Sequence, residues 1–501
     1  MNYGLTRLST RTKLVAAALA LALAGVSHAQ TTQVGGGATL PSIGYVGTNA
    51  ASNLQVWGTS ANNTVDPIDP NSLFGVYQAQ TGNPNVSYCL TGSGAGKDTL
   101  AAPITLVVNG VSTSFSVQNT CVKNSVGTVP GFGAGLTGVG RTDLTQPNFA
   151  GSDSPLAAAD YQHYQTGHGS SAFPTQFPAV AGAVAIGFNV VDTKGVQVTT
   201  SATGLSDSMI CNILSGQITN WDDTRLTSAF TVSSGASLPN APINVQYRSD
   251  GSGTTFSLSN HLTAVCGAIN SVDFQANQAF TSVVAGFFTS GLPNGNGTST
   301  AKWTGASGNP GVASAIVTTA NSIGYVETAN ALATNPGMKF ANVNSLSPTA
   351  NFGTPLAITS AAIVYNQVIS ATNNTNGTPA LEGISSITNP TVTAPPANST
   401  CIALVKPSLY AKPGIPGSLI TSTTYPIVAI SYLLSHAQGV SSGDLASTQG
   451  LVNAAYNSTI TGSVNTIGSG TGLAFLNLGT NGAAFGTNGV NAPGDCVNSG
   501  Q

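Results

Sequence analysis

The chain has 501 residues, of which 6% are charged and 41% hydrophobic, with 59 glycines and a net charge of −3. Disordered chains combine low hydrophobicity with high net charge; neither holds here, so a sizeable core spread over two or three domains is expected. Thirteen bases against 16 acids leave no electrostatic footprint for nucleic acid or anionic lipid, so any anion would have to be captured by locally aimed hydrogen bonds.

Taken from the start, Arg7, Arg11 and Lys13 precede an apolar run from Leu14 to Val26, and Ser27-His28-Ala29 completes a secretory signal pattern with cleavage expected after Ala29. The run is shorter than the roughly 20 residues that span a bilayer, and no later stretch is long and apolar enough, so no membrane insertion is expected. The earliest cysteine is Cys89, away from the cleavage point, so no lipid anchor is expected either. Residues 30–501 should be free in the periplasm or secreted, with ten bases against 16 acids. Six cysteines in an oxidising compartment imply disulfides, with 15 pairings open. Proximity favours Cys89–Cys121 and Cys211–Cys266, leaving Cys401–Cys496; the lack of a C-x-x-C argues against a zinc or thioredoxin-like site.

Residues 35–41, Gly-Gly-Gly-Ala-Thr-Leu-Pro, read as a loop. The segment 103–140 reads as an inserted hairpin, with β-type runs at Ile104–Val108 and Ser114–Val117. Asn148–Pro155 reads as a strand entering a turn, with an Ala-rich helix from Leu156. Phe177–Val191 is a buried strand, and Leu205–Leu214 a helix with Ser206 as its N-cap. A strand at Asn244–Tyr247, a Gly/Ser turn at Arg248–Thr254 and a helix from Thr255 to Val265 follow, then a strand at Ser322–Val326. Strands alternating with helices at this spacing indicate an α/β protein with largely parallel sheets. Residues 366–400, rich in Asn, Thr and Pro, read as a long surface excursion.

The most informative segment for chemistry is Tyr247-Arg248-Ser249-Asp250-Gly251-Ser252-Gly253-Thr254-Thr255. A helix start carries unpaired N–H groups and partial positive charge, and glycine lets an anion approach the backbone. Ser252, Gly253 and Thr254 would stand at that start; Arg248 would add an oxyanion fork that Asp250 could hold. The plainer alternative is an ordinary loop whose Ser and Thr only cap the helix. Thr39 and Leu40 after three glycines, and Ser93 between Gly92 and Gly94, are further candidate donor nests. Asp153 could face an oxyanion or simply cap the next helix. Gly96-Lys97 fails as a nucleotide P-loop, which needs glycine at 91 and Ser or Thr at 98, where the chain has Thr91 and Asp98. No catalytic residue, metal or cofactor is nominated: His163 and His168 lie in a polar loop by this reading, and His261 and His436 in helices.

Further segments complete an ordered series: Leu214-Ser215-Gly216-Gln217-Ile218 with Asn220-Trp221, Ile323-Gly324-Tyr325-Val326 and Tyr425-Pro426-Ile427. With those above, they resemble the phosphate-binding proteins that feed bacterial ABC transporters, closest to the DING subgroup, over nearly the whole mature chain. The resemblance implies a periplasmic-binding-protein-like fold, two α/β lobes with mixed sheets joined by two crossing strands, the ligand cleft between them. It implies one lobe from 30–170 (with an inserted segment 103–140) and 346–501 (with a long loop 366–420), and a second lobe at 171–345. Inorganic phosphate would be bound by Thr39, Leu40, Ser93, Asp153, Arg248, Ser252, Gly253 and Thr254, with Asp250 supporting Arg248, in a monomer that serves a membrane ABC permease or acts outside the cell. Cys211–Cys266 matches a pair bridged in the subgroup, whereas the subgroup's C-terminal disulfide uses a cysteine after the Tyr-Pro-Ile motif and Cys401 precedes it. The alternatives are a secreted phosphatase on the same scaffold and a surface or adhesion protein.

Overall fold

The computed structural model describes residues 32–47, 55–57, 68–101, 104–108, 111–115, 121–122, 128–129, 141, 143–144, 146–295, 301–388, 391–396, 399–478 and 496–498. The expected signal segment, 1–29, lies outside the described residues, as does most of 103–140. Within that insertion Ile104–Val108 pairs antiparallel with Val111–Phe115, a hairpin as expected, and Cys121–Val122 pairs with Thr128–Val129.

One mixed sheet of twelve strands organises the chain. Its strands are β1 (Gln33–Gly37), β2 (Gln55–Trp57), β3 (Val86–Leu90), β4 (Phe149–Ser152), β5 (Pro174–Asn189), β6 (Asn244–Arg248), β7 (Thr304–Ala306), β8 (Ser322–Glu327), β9 (Lys339–Ala341), β10 (Leu356–Ala357), β11 (Val428–His436) and β12 (Leu473–Asn477). The order along its main path is β7-β6-β8-β5-β11-β4-β1-β3-β2. The strands beside β1 and β6 run parallel to them, whereas β5 pairs antiparallel with β8, β9, β11 and β12, β11 antiparallel with β4, and β2 antiparallel with β3. The sheet is therefore more mixed than strand–helix alternation suggested. Pairing with β11 takes up β5 from Pro174 to Ala183, and pairing with β8 takes it up from Val184 to Asn189, so one strand runs through both halves of the sheet. Pro178 in β5 has no N–H to offer, and the register with β11 shifts there, between Ser431 and Tyr432.

Helices fill the crossovers: α1 (Ser42–Val46), α2 (Leu73–Ala79), α3 (Ser93–Ala101), α4 (Ala158–His168), α5 (Asp207–Leu214), α6 (Gly253–Val265), α7 (Gly308–Thr318), α8 (Thr328–Thr334) and α9 (Leu445–Asn453). Ser206 caps α5 by accepting from Met209 N at 3.2 Å. Cys211 on α5 is bridged to Cys266 at the end of α6, and Cys401 to Cys496. Cys89 is also disulfide-bonded; the side chain of its expected partner, Cys121, lies outside the described residues.

Two local expectations are corrected. Gly35–Gly37 are strand, not loop, because β1 is crowded: a Cβ on Gly35 would fall 2.3 Å from the Phe149 ring. His163 and His168 sit on α4, and His436 ends β11. The 366–400 excursion lies mostly at the surface, as expected, and is anchored by a few apolar residues in and just after it. Gln367–Ile369 pairs with Leu381–Gly383, Val368, Ile384 and Leu404 are fully buried, and Ile369 packs with Phe256 of α6.

Candidate functional site

The starts of α1, α3, α6, α7 and α8 converge, because each follows a strand end of the one sheet. Gly37 shows what the convergence requires. Its φ is +126°, and a Cβ there would lie 2.2 Å from Gly151 O. Its carbonyl accepts from Gly92 N at 2.7 Å, so the turns after β1, β3 and β4 meet backbone to backbone. Gly94 N in turn donates to Gly251 O at 3.1 Å, tying the turn after β3 to the turn after β6.

Every residue of the expected set falls in this region. Ser93 Oγ donates to Asp153 Oδ2 at 3.3 Å and accepts from Asp153 N at 3.0 Å and Gly253 N at 3.3 Å. Asp153 is 1% exposed, and its Oδ1 has no well-formed hydrogen bond among the described residues, although Ser431 and the Leu40 N–H come close enough to the carboxylate to favour its charged form. Burial pushes its pKa from 3.8 to about 7, against the opposing pull of Ser431, Arg248, Ser93 and the Leu40 backbone. It does not cap α4, whose first turn is held by Asp160 accepting from Ala157 N at 2.7 Å. Arg248, 2% exposed, donates through Nε to Asp250 Oδ1 at 2.7 Å and through Nη2 to Asp250 Oδ2, with Nη1 on Thr254 Oγ1 at 3.3 Å. Asp250 Oδ1 also accepts from Gly308 N at 3.0 Å, so the buttress of the guanidinium is itself fixed to the start of α7. Ser252 caps α6 by accepting from Thr255 N at 3.1 Å, so the plainer reading holds for its lone pair and leaves its proton for other use. A Cβ on Gly253 would lie 2.4 Å from Asp153 Cβ; glycine alone lets the start of α6 close on the carboxylate.

The sequence reading missed Asn309, Glu327, Asn330 and Ser431. Asn309, second in α7, bonds Thr39 and Thr254. Glu327 caps α8, its two oxygens accepting from Ala329 N, Asn330 N and Asn330 Nδ2, each at 2.8 Å. Burial raises its pKa to about 8 despite these bonds. Asn330 Nδ2 reaches Thr39 O at 2.8 Å and Leu40 O at 3.1 Å. A polar residue directly after a strand or at a helix start was the one available signal, and it is common to many structural caps.

Other clusters stay apart. Lys97, the lysine of the rejected P-loop, is buried against Asp160. Gly439-Val440-Ser441-Ser442-Gly443 has the spacing of a nucleophile elbow. Ser441 Oγ, however, donates to Asp444 Oδ2 at 2.9 Å and accepts from Asp444 N at 3.2 Å, closing a turn before α9. His168 and His436 line a separate polar cavity of about 450 Å³ that none of the site residues lines. Both rings lose basicity through burial, His436 to about 4. His436 Nδ1 accepts from Tyr164 Oη at 2.7 Å while Nε2 donates to the Pro147 carbonyl at 2.9 Å, a neutral ring with both nitrogens used. Among the described residues no group of three or more His, Cys, Asp or Glu could hold a metal ion, and no helix is long and apolar enough to cross a membrane.

The chain is similar to known proteins to different extents. The chain is 28% identical over 345 residues to alkaline phosphatase L of Pseudomonas aeruginosa, covering 68% of each chain. It is 28% identical over 251 residues to phosphate-binding protein PstS 3 of Mycobacterium leprae, covering 49% of this chain and 59% of that one. Phosphate-binding protein PstS of Xylella fastidiosa is 32% identical over 198 residues, 39% of this chain and 44% of the relative. The matches thus span about two thirds of the first relative and about half of the other two. A solved structure of a phosphate-binding protein from Stenotrophomonas maltophilia aligns with a TM-score of 0.46 at 21% identity, covering 85% of this chain and 84% of that one. The family model of the PBP superfamily domain matches residues 78–381, more than half of the chain. By that match the chain belongs to the PBP superfamily.

Proposed function

We propose that this chain is an exported solute-binding protein that holds inorganic phosphate in a cleft between two lobes, 30–170 with 346–501 on one side and 171–345 on the other. The observation that carries the reading is a buried carboxylate, Asp153, with one oxygen lacking a well-formed hydrogen bond, in the same enclosed cluster as the Arg248 guanidinium and several helix starts. Donors alone would suit any oxyanion. A carboxylate among them suits an oxyanion that brings a proton, as phosphate does at neutral pH and sulfate does not. The relatives named for phosphate binding support the same ligand. Thr39 and Leu40, Ser93, Arg248, Ser252, Gly253 and Thr254 would supply donors, and Asp153 would accept the ligand's proton. Asp250, anchored to Gly308 N, keeps the guanidinium fork in place. Uptake by this route would need an ABC permease to receive the ion from a monomeric carrier. Isothermal titration of the mature chain, freed of bound anion, should give one phosphate per chain; no heat with phosphate would refute the reading.

A second reading, a phosphatase on the same scaffold, is favoured by one finding, the match to alkaline phosphatase L over 68% of each chain. Turnover of a chromogenic phosphate ester, abolished by Arg248→Ala, would support it. Stoichiometric phosphate retention without turnover would exclude it.

A further inference from the structure

Asn309 is wholly buried in the first turn of α7 and lies 270 residues from Thr39 in sequence. Its side-chain amide is fully used. Nδ2 donates to Thr39 Oγ1 and to Thr254 Oγ1, both at 3.1 Å, and Oδ1 accepts from Glu327 N at 2.9 Å. The last bond fixes which way the amide points. Glu327 N–H can only donate, so turning the amide over would set NH₂ against N–H. The NH₂ group therefore faces the threonines.

Each threonine hydroxyl has a second donor aimed at it. Thr39 Oγ1 also accepts from Asn309 N at 3.2 Å, and Thr254 Oγ1 from Arg248 Nη1 at 3.3 Å. A hydroxyl has two lone pairs and one proton. At both positions the lone pairs are taken by groups that cannot accept in return: a backbone N–H, an amide NH₂ and a guanidinium. What each hydroxyl has left is its proton. We propose that Asn309 is a positioning residue that locks the Thr39 and Thr254 hydroxyls as donors, so that the site is set for an acceptor-rich oxyanion before the ligand arrives. Donors oriented in advance need no reorganisation when charge enters, which is where a preorganised site gains over water. Asn309 does this from behind the hydroxyls.

The inference rests on the phosphate reading of this cluster, and its test separates the two. Phosphate affinity is measured by titration calorimetry for the wild type, Asn309→Ala, Asn309→Asp, the double variant Thr39→Val/Thr254→Val, and that double variant carrying Asn309→Ala. Asn309→Ala should weaken binding about tenfold, the scale of one net hydrogen bond. Asn309→Asp should cost about a hundredfold or more, because a carboxylate draws both hydroxyl protons to itself and sets a charge beside the anion. With the hydroxyls already removed, Asn309→Ala should cost almost nothing further, a coupling that a merely structural role would not produce. Should the aspartate variant fail to fold, the alanine cycle carries the test alone. An alanine cost that stays tenfold without the hydroxyls, while the wild type binds phosphate, overturns the inference and leaves the site reading intact. A wild type that binds no phosphate overturns both.

Discussion

Sulfate competition across pH probes Asp153 directly. The carboxyl is buried, one oxygen is hydrogen-bonded to Ser93 at 3.3 Å, and the other has no well-formed hydrogen bond among the described residues. Burial raises its pKa to about 7. Sulfate brings no proton, so it can sit against this oxygen only when Asp153 itself is protonated. Above pH 7 the protonated fraction falls about tenfold per unit, and sulfate affinity should fall with it, roughly a hundredfold between pH 5 and pH 9. Phosphate keeps at least one proton over that whole range, so it always has a donor for this oxygen and should show no comparable hundredfold loss. Asp153→Asn replaces the titrating oxygen by an amide that can turn its NH₂ group to either anion, so its sulfate affinity should be flat with pH. The assay is displacement of labelled phosphate by sulfate, for both proteins, at steps from pH 5 to 9. Glu327 titrates in the same window, with a pKa near 8, but its oxygens are taken by Ala329 N, Asn330 N and Asn330 Nδ2. A slope that survives unchanged in Asp153→Asn would remove Asp153 as its source. A wild type whose sulfate affinity ignores pH would refute the role given to Asp153.

Phosphate-free protein should lose stability as pH rises. Asp153 and Glu327 both have raised pKa values in the fold, so their contribution is complete below about pH 4 and is lost as pH passes 7 to 8. For Asp153 the loss is about 4 kcal/mol, and urea unfolding at pH 4.5 and 8.5 should show the trend reduced in Asp153→Asn. Arg248→Ala should cost about 2–5 kcal/mol of phosphate binding by calorimetry, since the anion loses its paired charge in a desolvated site. Arg248→Lys should not restore it, because a point charge cannot occupy the fork that Asp250 aligns. Gly253→Ala should lower stability by about 1–3 kcal/mol in thermal melts, by forcing α6 off Asp153. Unchanged affinity in the first case, or an unchanged melt in the second, would contradict the packing described here.

The α/β class, the strands at Asn244 and Ser322, the Ser206 cap and the turn between β6 and α6 were legible in the sequence because each depends on neighbours a few residues away. Apolar periodicity marks a strand, and a Ser or Thr before it marks a helix start, whatever the rest of the chain does. The candidate donors Ser93, Ser252, Gly253 and Thr254 were legible for the same reason: glycine beside a hydroxyl at a strand-to-helix turn is a local pattern. Gly35–Gly37 misled because the pattern that marks a loop also marks a strand squeezed between neighbours, and only the Phe149 ring against Gly35 distinguishes the two. The 366–400 segment was legible as surface, but not its anchor: Ile369 packs with Phe256, on a helix far back in the chain.

What the sequence determined by itself was thus the set of local devices: strand ends, helix starts and the donors they expose. The tertiary structure alone decided which of those donors meet, and what stands behind them. Nothing near Asn309 in sequence marks it as a partner of Thr39, and Ser431 sits in an apolar run that reads only as a buried strand. Their roles arise when distant segments come within hydrogen-bonding distance, as at Thr254 Oγ1, which accepts from Arg248 at the end of β6 and from Asn309 at the start of α7. The protonation of Asp153 belongs to the same class. A carboxyl's intrinsic chemistry is written in its side chain, but its pKa is set by how completely the fold removes it from water.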